Sequence, residues 1–457
     1  MERQLHPDAA ENFNQRTEAL FAQLEPEDQE EVSKPPTHTF RPGAHVAASF
    51  SEGDYSAFNI TGKRNALRKT TARYFEHEGC RYGFEEEKYQ ELARLSESIQ
   101  RTPAFREVVS TEWVEDTIIE WMKAKHAGDE VSALADYLAE RCEQDVAEHE
   151  LWFPISHLSV ETDLRFANVI FKTISEDMLD RIEEDLQGGA GDRGEEYAAQ
   201  MQYYVHRQRS ELQGLAAATI QVNAEPKRAF QVALRESERA VAALSVYQVA
   251  ATTMPEVTSY CAVLGKENVE GIKHLEVENG RVVRTTDQGL GKPVLHWHLS
   301  EEDVSRYRRS LGFDNVSELL TLDARTGFQE ALLDALLLYS RSTREKDLTG
   351  RLVYMLVAME SFLLKNDNEP IQQAIGERMA FVVGDTANER QDIAANLRKG
   401  YSLRSKFVHH GQTIEEVETI RQFMLNAWRL FTQLAKISKR FTTKEELIEA
   451  LEARKWS

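Results

Sequence analysis

The sequence predicts an α+β chain that is predominantly helical: a helical N-terminal unit, a small α+β middle domain and a C-terminal antiparallel helical bundle. Three observations lead there. Apolar rows with a helical period dominate the chain up to about residue 150 and again after residue 303. Between them, alternating stretches such as His274-Leu275-Glu276-Val277-Glu278 mark short strands. A length of 457 residues fits two or three domains better than one. The expected boundaries are 1–150 (mostly helical), 151–303 (a candidate sensor or regulatory segment) and 304–457 (helical).

Residues 1–34 are acidic and helix-prone and break at Pro35-Pro36. Residues 37–63 turn to Gly, Ser, Thr and aromatic side chains, compatible with loop or short strand. Helices are predicted over 85–100, 104–126 and 129–149, the second made amphipathic by Trp113, Ile118, Trp121 and Met122. Residues 153–160, 166–171 and 218–222 read as strands, residues 188–194 as a glycine-rich loop, and Pro226 as the start of a helix to about Ala251. Alternation returns in Val294-Leu295-His296-Trp297-His298. Ser300-Glu301-Glu302-Asp303 opens a helix, and others follow over 327–342, 347–365, 372–383, 389–409 and 414–441, with a last one after Thr443. Thr386 with Glu389, Thr413 with Glu416 and Thr443 with Glu446 have capping-box spacing. Short connections between amphipathic helices make neighbours antiparallel.

Composition narrows the function. With 55 basic and 76 acidic residues the net charge is −21, so the average surface repels nucleic acid and anionic membranes. A nucleic-acid role must rest on a local patch, and residues 391–444 carry ten basic side chains against four acidic ones. Cys80, Cys142 and Cys261 form no disulfide framework, which fits a reducing cytoplasm. No run of 18 apolar residues and no apolar N-terminal signal is present, so a soluble cytoplasmic chain without a membrane partner is expected. Gly289-Leu290-Gly291-Lys292-Pro293 lacks the upstream glycine and the Ser or Thr of a P-loop. His77 with Cys80, and His296 with His298, have ligand-like spacing but no second pair, so no metal ligands and no cofactor are assigned. No Gly-x-Ser-x-Gly elbow occurs.

The most informative stretch runs from Tyr401 to Gly411. Ile393, Leu397, Tyr401 and Val408 form a helical apolar row, and Arg404 fills its missing step. An arginine there must find an anion or carbonyls. Gly411 is a natural helix stop, and His409 and His410 sit in the last turn, where the helix dipole favours positive charge. Glu360 lies in a strongly apolar helix over 352–364 and continues the row Val353, Val357, Leu364. Opposite charges in two apolar stripes predict that Glu360 and Arg404 meet within one bundle.

The run Arg404-Ser405-Lys406-Phe407-Val408-His409, an Arg-x4-His motif closing a bundle helix, resembles the HEPN superfamily. With Tyr401, Gly411 and the upstream Glu360, it is similar to the Apea-like HEPN group in particular. The likeness covers roughly residues 326–440, with a looser similarity around Phe153-Pro154-Ile155. It implies a HEPN helical bundle and a metal-independent endoribonuclease of bacterial anti-phage, abortive-infection or toxin systems. It also implies a homodimer in which two Arg-x4-His motifs face one composite site, with RNA as substrate. The first 300 or so residues would then answer a phage-derived or cellular trigger. In such a site the 2′-hydroxyl attacks its own phosphodiester, leaving a cyclic phosphate. Arg404 is the phosphate clamp and His409 the acid/base, imidazole being the side chain that titrates near neutrality. Glu360 orients Arg404; Tyr401, Ser405 and His410 support; Lys406, Arg398 and Lys399 are candidate RNA contacts. Ser405 departs from the Asn, Asp or His common after this arginine, although serine is usual in the nearer group. Five helical steps turn a side chain by about 140°. Arg404 and His409 therefore share a site only if the helix loosens near Gly411 or a partner chain completes it. The alternatives are a non-catalytic HEPN protein that binds RNA or nucleotide or serves as a dimerising adaptor, and a metal-dependent hydrolase built on His296 and His298.

Overall fold

The computed structural model describes residues 5–26, 60–64, 69–188, 195–266, 271–278, 281–289, 295–366, 368–411 and 416–455. Pro35-Pro36, most of the 37–63 stretch, the glycine tract beyond Gly188, the pattern after Gly289, Val294 and the Thr413 cap lie outside them. The chain divides into two compact units, Met1–Glu150 with Gln221–Val232, and Leu151–Ile220 with Ala233–Ser457.

In the first unit, α1 (Pro7–Phe21) is followed by strands β1 (Glu25–Pro26), β2 (Ile60–Arg64), β3 (Thr70–His77) and β4 (Cys80–Glu85), and by helices α2 (Glu86–Gln100), α3 (Thr111–His126) and α4 (Leu134–Asp145). The strands form one antiparallel sheet in the order β1-β4-β3-β2. Phe75 and Phe84 bury against Leu92, Leu95, Ile99, Ile118 and Met122 of the helices. Arg73 on β3 donates to Glu115 at 2.6 Å and to Asp116, a pairing across more than 40 residues of chain. This sheet is a departure from the helical N-terminal unit that periodicity predicts. Thr71, Ala72 and Arg73 give β3 no clean apolar alternation, and partners far along the chain decide its conformation. The segment 221–232 enters this unit through Glu225, whose carboxylate accepts from the backbone N–H groups of Ser110 (3.0 Å), Lys227 (2.7 Å) and Arg228 (2.8 Å).

The second unit begins within β5 (Ala147–Pro154), where the sequence pattern predicted the end of a helix, and continues with β6 (Leu158–Val160), β7 (Leu164–Phe166) and β8 (Val169–Thr173). Helices α5 (Glu176–Gly188) and α6 (Glu195–Leu212), which the pattern did not reveal, precede β9 (Ala216–Ala224). Helix α7 (Pro226–Leu244) ends earlier than expected, in a 3-10 turn at Ser245–Tyr247 before the short α8 (Val249–Thr253). A sheet in the order β5-β9-β8-β7 is joined by a β10 (Gly271–Glu278)–β11 (Arg281–Gly289) hairpin and by a parallel pair of β6 with β12 (Trp297–Leu299).

The remaining chain is helical: α9 (Glu301–Ser310), α10 (Phe313–Thr321), α11 (Gly327–Arg344), α12 (Leu348–Leu363), α13 (Ile371–Val383), α14 (Ala387–His410), α15 (Val417–Lys436) and α16 (Lys444–Ala453). The caps fall where spacing places them. Thr386 accepts from the Glu389 N–H at 3.2 Å and Thr443 from the Glu446 N–H at 3.3 Å. In both, the glutamate reaches back to the N–H before the cap residue, Asp385 at 3.0 Å and Thr442 at 2.8 Å. No helix among the described residues is long and apolar enough to cross a membrane.

Two arginines hold this unit together. Arg351, at the start of α12, is 1% exposed. Its guanidinium donates to the Glu345 carbonyl at 2.7 Å, to Thr258 Oγ1 at 2.8 Å and to the Val257 carbonyl. Burial pushes its pKa down to about 10, so the group stays charged at neutral pH. Arg378 on α13 grips Glu369 through two bonds of 2.6 and 2.7 Å and donates to the Leu363 carbonyl at 2.6 Å. Replacing Arg351 by Met strands several buried acceptors, and a loss of about 3 kcal/mol or more is expected in urea unfolding. An unchanged midpoint contradicts this role.

Candidate functional site

The site grows from a close approach of helices. A Cβ at Gly400 would lie 3.2 and 3.3 Å from Phe423 ring carbons and 3.6 Å from Leu352 Cδ1, so its absence lets α14 settle against α15 and α12. One residue further, the Tyr401 hydroxyl donates to Glu360 Oε1 at 2.8 Å, and Arg404 Nη1 lies 3.7 Å from the same oxygen. Burial, then the Glu360 charge, pushes the Tyr401 phenol well above its ordinary range and keeps it a donor. Arg404 Nε is shut off from solvent and makes no hydrogen bond among the described residues.

Glu360 and Arg404 thus meet as their rows predict, but at the edge of the bundle. The row Val353, Val357, Glu360, Leu364 is the half-buried flank of α12; the core is filled by Leu352, Met355, Leu356, Met359, Phe362 and Leu363. The buried part of the α14 row ends at Tyr401, because Val408 is 58% exposed. Periodicity identified a helical face but not where its neighbours stop.

From Ser405 to Gly411 every residue is exposed, including Lys406, His409 and His410. The helix runs unbroken to His410, and Gly411 caps it with φ 64°, its N–H donating to the Phe407 carbonyl at 2.8 Å. No loosening occurs, so the half-buried Arg404 and the exposed His409 keep their separation of about 140° around the helix. Arg398, Ser405 and His409 share one face, and Lys399, Lys406 and His410 the next. Arg398 and Lys399 are exposed as well. Much of the basic excess is spent within the fold: Arg429 pairs with Glu389 at 2.8 Å, Lys444 donates to the Leu364 carbonyl at 2.8 Å, Lys439 pairs with Glu318, and Arg421 with Glu418 and Glu256. Arg398, Lys399 and Lys406 remain available on α14.

Magnitudes separate architecture from function. The Arg404 side chain is 37% exposed and its pairing with Glu360 is loose, so the pair contributes at most about 1 kcal/mol. Arg351 and Arg378, which sequence reasoning did not single out, carry the structural load. Their partners are chiefly backbone carbonyls and a carboxylate in loops, which leave no periodic signal.

The other sequence candidates are accounted for. His296 Nε2 and His298 Nδ1 both bond Ser159 Oγ, at 2.9 and 3.0 Å. His77 and Cys80 face each other across the β3–β4 hairpin, where the His77 ring packs 5.2 Å from His126. Among the described residues no group of three or more His, Cys, Asp or Glu side chains is placed to hold a metal ion. Cys142 and Cys261 are buried, and burial pushes the Cys261 thiol up to about 12. Comparisons with protein-family models, with curated proteins and with solved structures return no match.

Removing the Tyr401 hydroxyl as Tyr401→Phe is expected to cost about 1–2 kcal/mol, the bond being to a charged acceptor. Arg404→Ala is expected to cost about 1 kcal/mol or less. Urea unfolding of both checks the assignment; a larger loss for Arg404→Ala makes the arginine a structural pin.

Proposed function

We propose that the chain is a metal-independent endoribonuclease of the HEPN type, active as a homodimer that joins the ends of two α14 helices. One observation carries the reading. Arg404 is held beside Glu360 with its side chain still 37% exposed, while His409 projects to solvent from the other side of the same unbroken helix end. A phosphate clamp and an acid/base that face apart in one chain form a single site when a second copy presents the complementary group. Phe407 and Val408, 39% and 58% exposed beside His409, supply apolar surface for that contact.

In the proposed reaction Arg404 binds the scissile phosphate and stabilises its developing charge. His409 takes the proton from the 2′-hydroxyl or gives one to the leaving 5′-oxygen. Lys406, Arg398 and Lys399 attract the RNA backbone against the negative field of the rest of the chain. Resemblance to HEPN effectors makes an anti-phage or abortive-infection setting part of the proposal, with a phage-derived or cellular trigger acting through the preceding residues.

The test is RNA cleavage by the purified protein in EDTA. Arg404→Ala and His409→Ala are each expected to lower the rate by about 100-fold or more, with cyclic-phosphate ends in the wild-type product. His409 is exposed, so its loss leaves the fold intact. Equal cleavage by all three proteins contradicts the assignment, and no cleavage by any favours the adaptor reading.

A further inference from the structure

Away from α14, the second unit holds a cleft enclosing about 290 Å³, lined by Ser259, Tyr260, Ala262, Lys266, Arg341, Arg344, Glu345 and Tyr354. That is about the lower limit for small-molecule pockets and too small for a folded partner. Its charge runs against that of the chain, with three cations facing one carboxylate. Lys266 is already paired with Glu238, whereas Arg341 and Arg344 form no ion pair and no side-chain hydrogen bond among the described residues. Three residues apart on α11, the two guanidinium groups lie on one side of the helix.

The lining contributed by residues 259–262 is held in place by hydrogen bonds. The Ser259 N–H donates to the Thr343 carbonyl at 2.9 Å and the Leu264 N–H to the Pro154 carbonyl at 2.8 Å. Ser156 Oγ donates to the Tyr260 carbonyl at 2.6 Å. Arg351 holds the Val257 carbonyl and Thr258 Oγ1, the residues just before Ser259. The partly exposed Tyr354 ring of α12, lining the same cleft as two arginines without an ion pair among the described residues, suits a ligand with a planar ring at one end and an anion at the other. Guanidinium forks match phosphate oxygens two at a time, and aromatic side chains cover a base or sugar.

We propose that this cleft binds a phosphorylated small molecule of mononucleotide size, its phosphate between Arg341 and Arg344 and its remainder against Tyr354. Glu345 supplies an acceptor for ligand hydroxyls. The proposal uses no residue of α14 and stands whether or not the chain cleaves RNA.

Calorimetric titration of the full chain with AMP, adenosine and inorganic phosphate tests it. AMP is expected to bind, adenosine not, and the Arg341→Ala/Arg344→Ala double variant to lose at least tenfold in AMP affinity while keeping its unliganded melting temperature. Phosphate binding as tightly as AMP supports the anion site and identifies free phosphate as sufficient; AMP binding more tightly shows that the nucleoside contributes. Silence with both AMP and phosphate, or equal AMP affinity in wild type and double variant, overturns the proposal.

Discussion

The geometry at the end of α14 depends on the contact that Gly400 permits. Without a side chain there, α14 approaches α12 and α15 closely enough for Tyr401 to bond Glu360, and this fixes the rotation of α14 about its axis. Once that rotation is set, a continuous helix leaves Arg404 beside Glu360 and His409 in solvent. The Gly411 cap fixes where the helix stops and so how far its last turn projects. Site geometry therefore follows from one missing Cβ, one hydrogen bond and the helical pitch.

Three arginines in this unit illustrate how burial divides labour. Arg351 and Arg378 are nearly inaccessible and saturated, so their removal strands carbonyls or a carboxylate. Arg404 is half-exposed, weakly paired and not saturated. A residue that does little for stability, set beside a carboxylate that a tyrosine holds, keeps the exposed part of its guanidinium for an anion. The pair Arg341 and Arg344 follows the same logic at the cleft, where neither forms an ion pair or a side-chain hydrogen bond among the described residues.

How much of this was legible in the sequence depends on the range of the forces involved. The helices from Gly327 onward were readable because their signals are local: Thr386 and Thr443 cap N-termini, and the period of Ile393, Leu397 and Tyr401 marks a buried face. The meeting of Glu360 with Arg404 was readable for the same reason. Val408 was misplaced because a period says nothing about where packing ends. Strands β3 and β4 were missed because Arg73 finds its partners on a helix some 40 residues later. Helix α6 was missed because it is largely polar, with Tyr203 66% exposed. Arg351 was invisible because it binds backbone carbonyls, which any sequence supplies.

The central claim is that the arginine of one copy works with the histidine of another. A heterodimer of Arg404→Ala and His409→Ala chains, co-expressed with different tags and purified through both, tests it most directly. Each variant alone is expected to be inactive, while the heterodimer retains one intact arginine and one intact histidine across the interface and cleaves RNA well above either parent. A heterodimer as inactive as both parents, or a wild-type chain that cleaves as a monomer, contradicts the account.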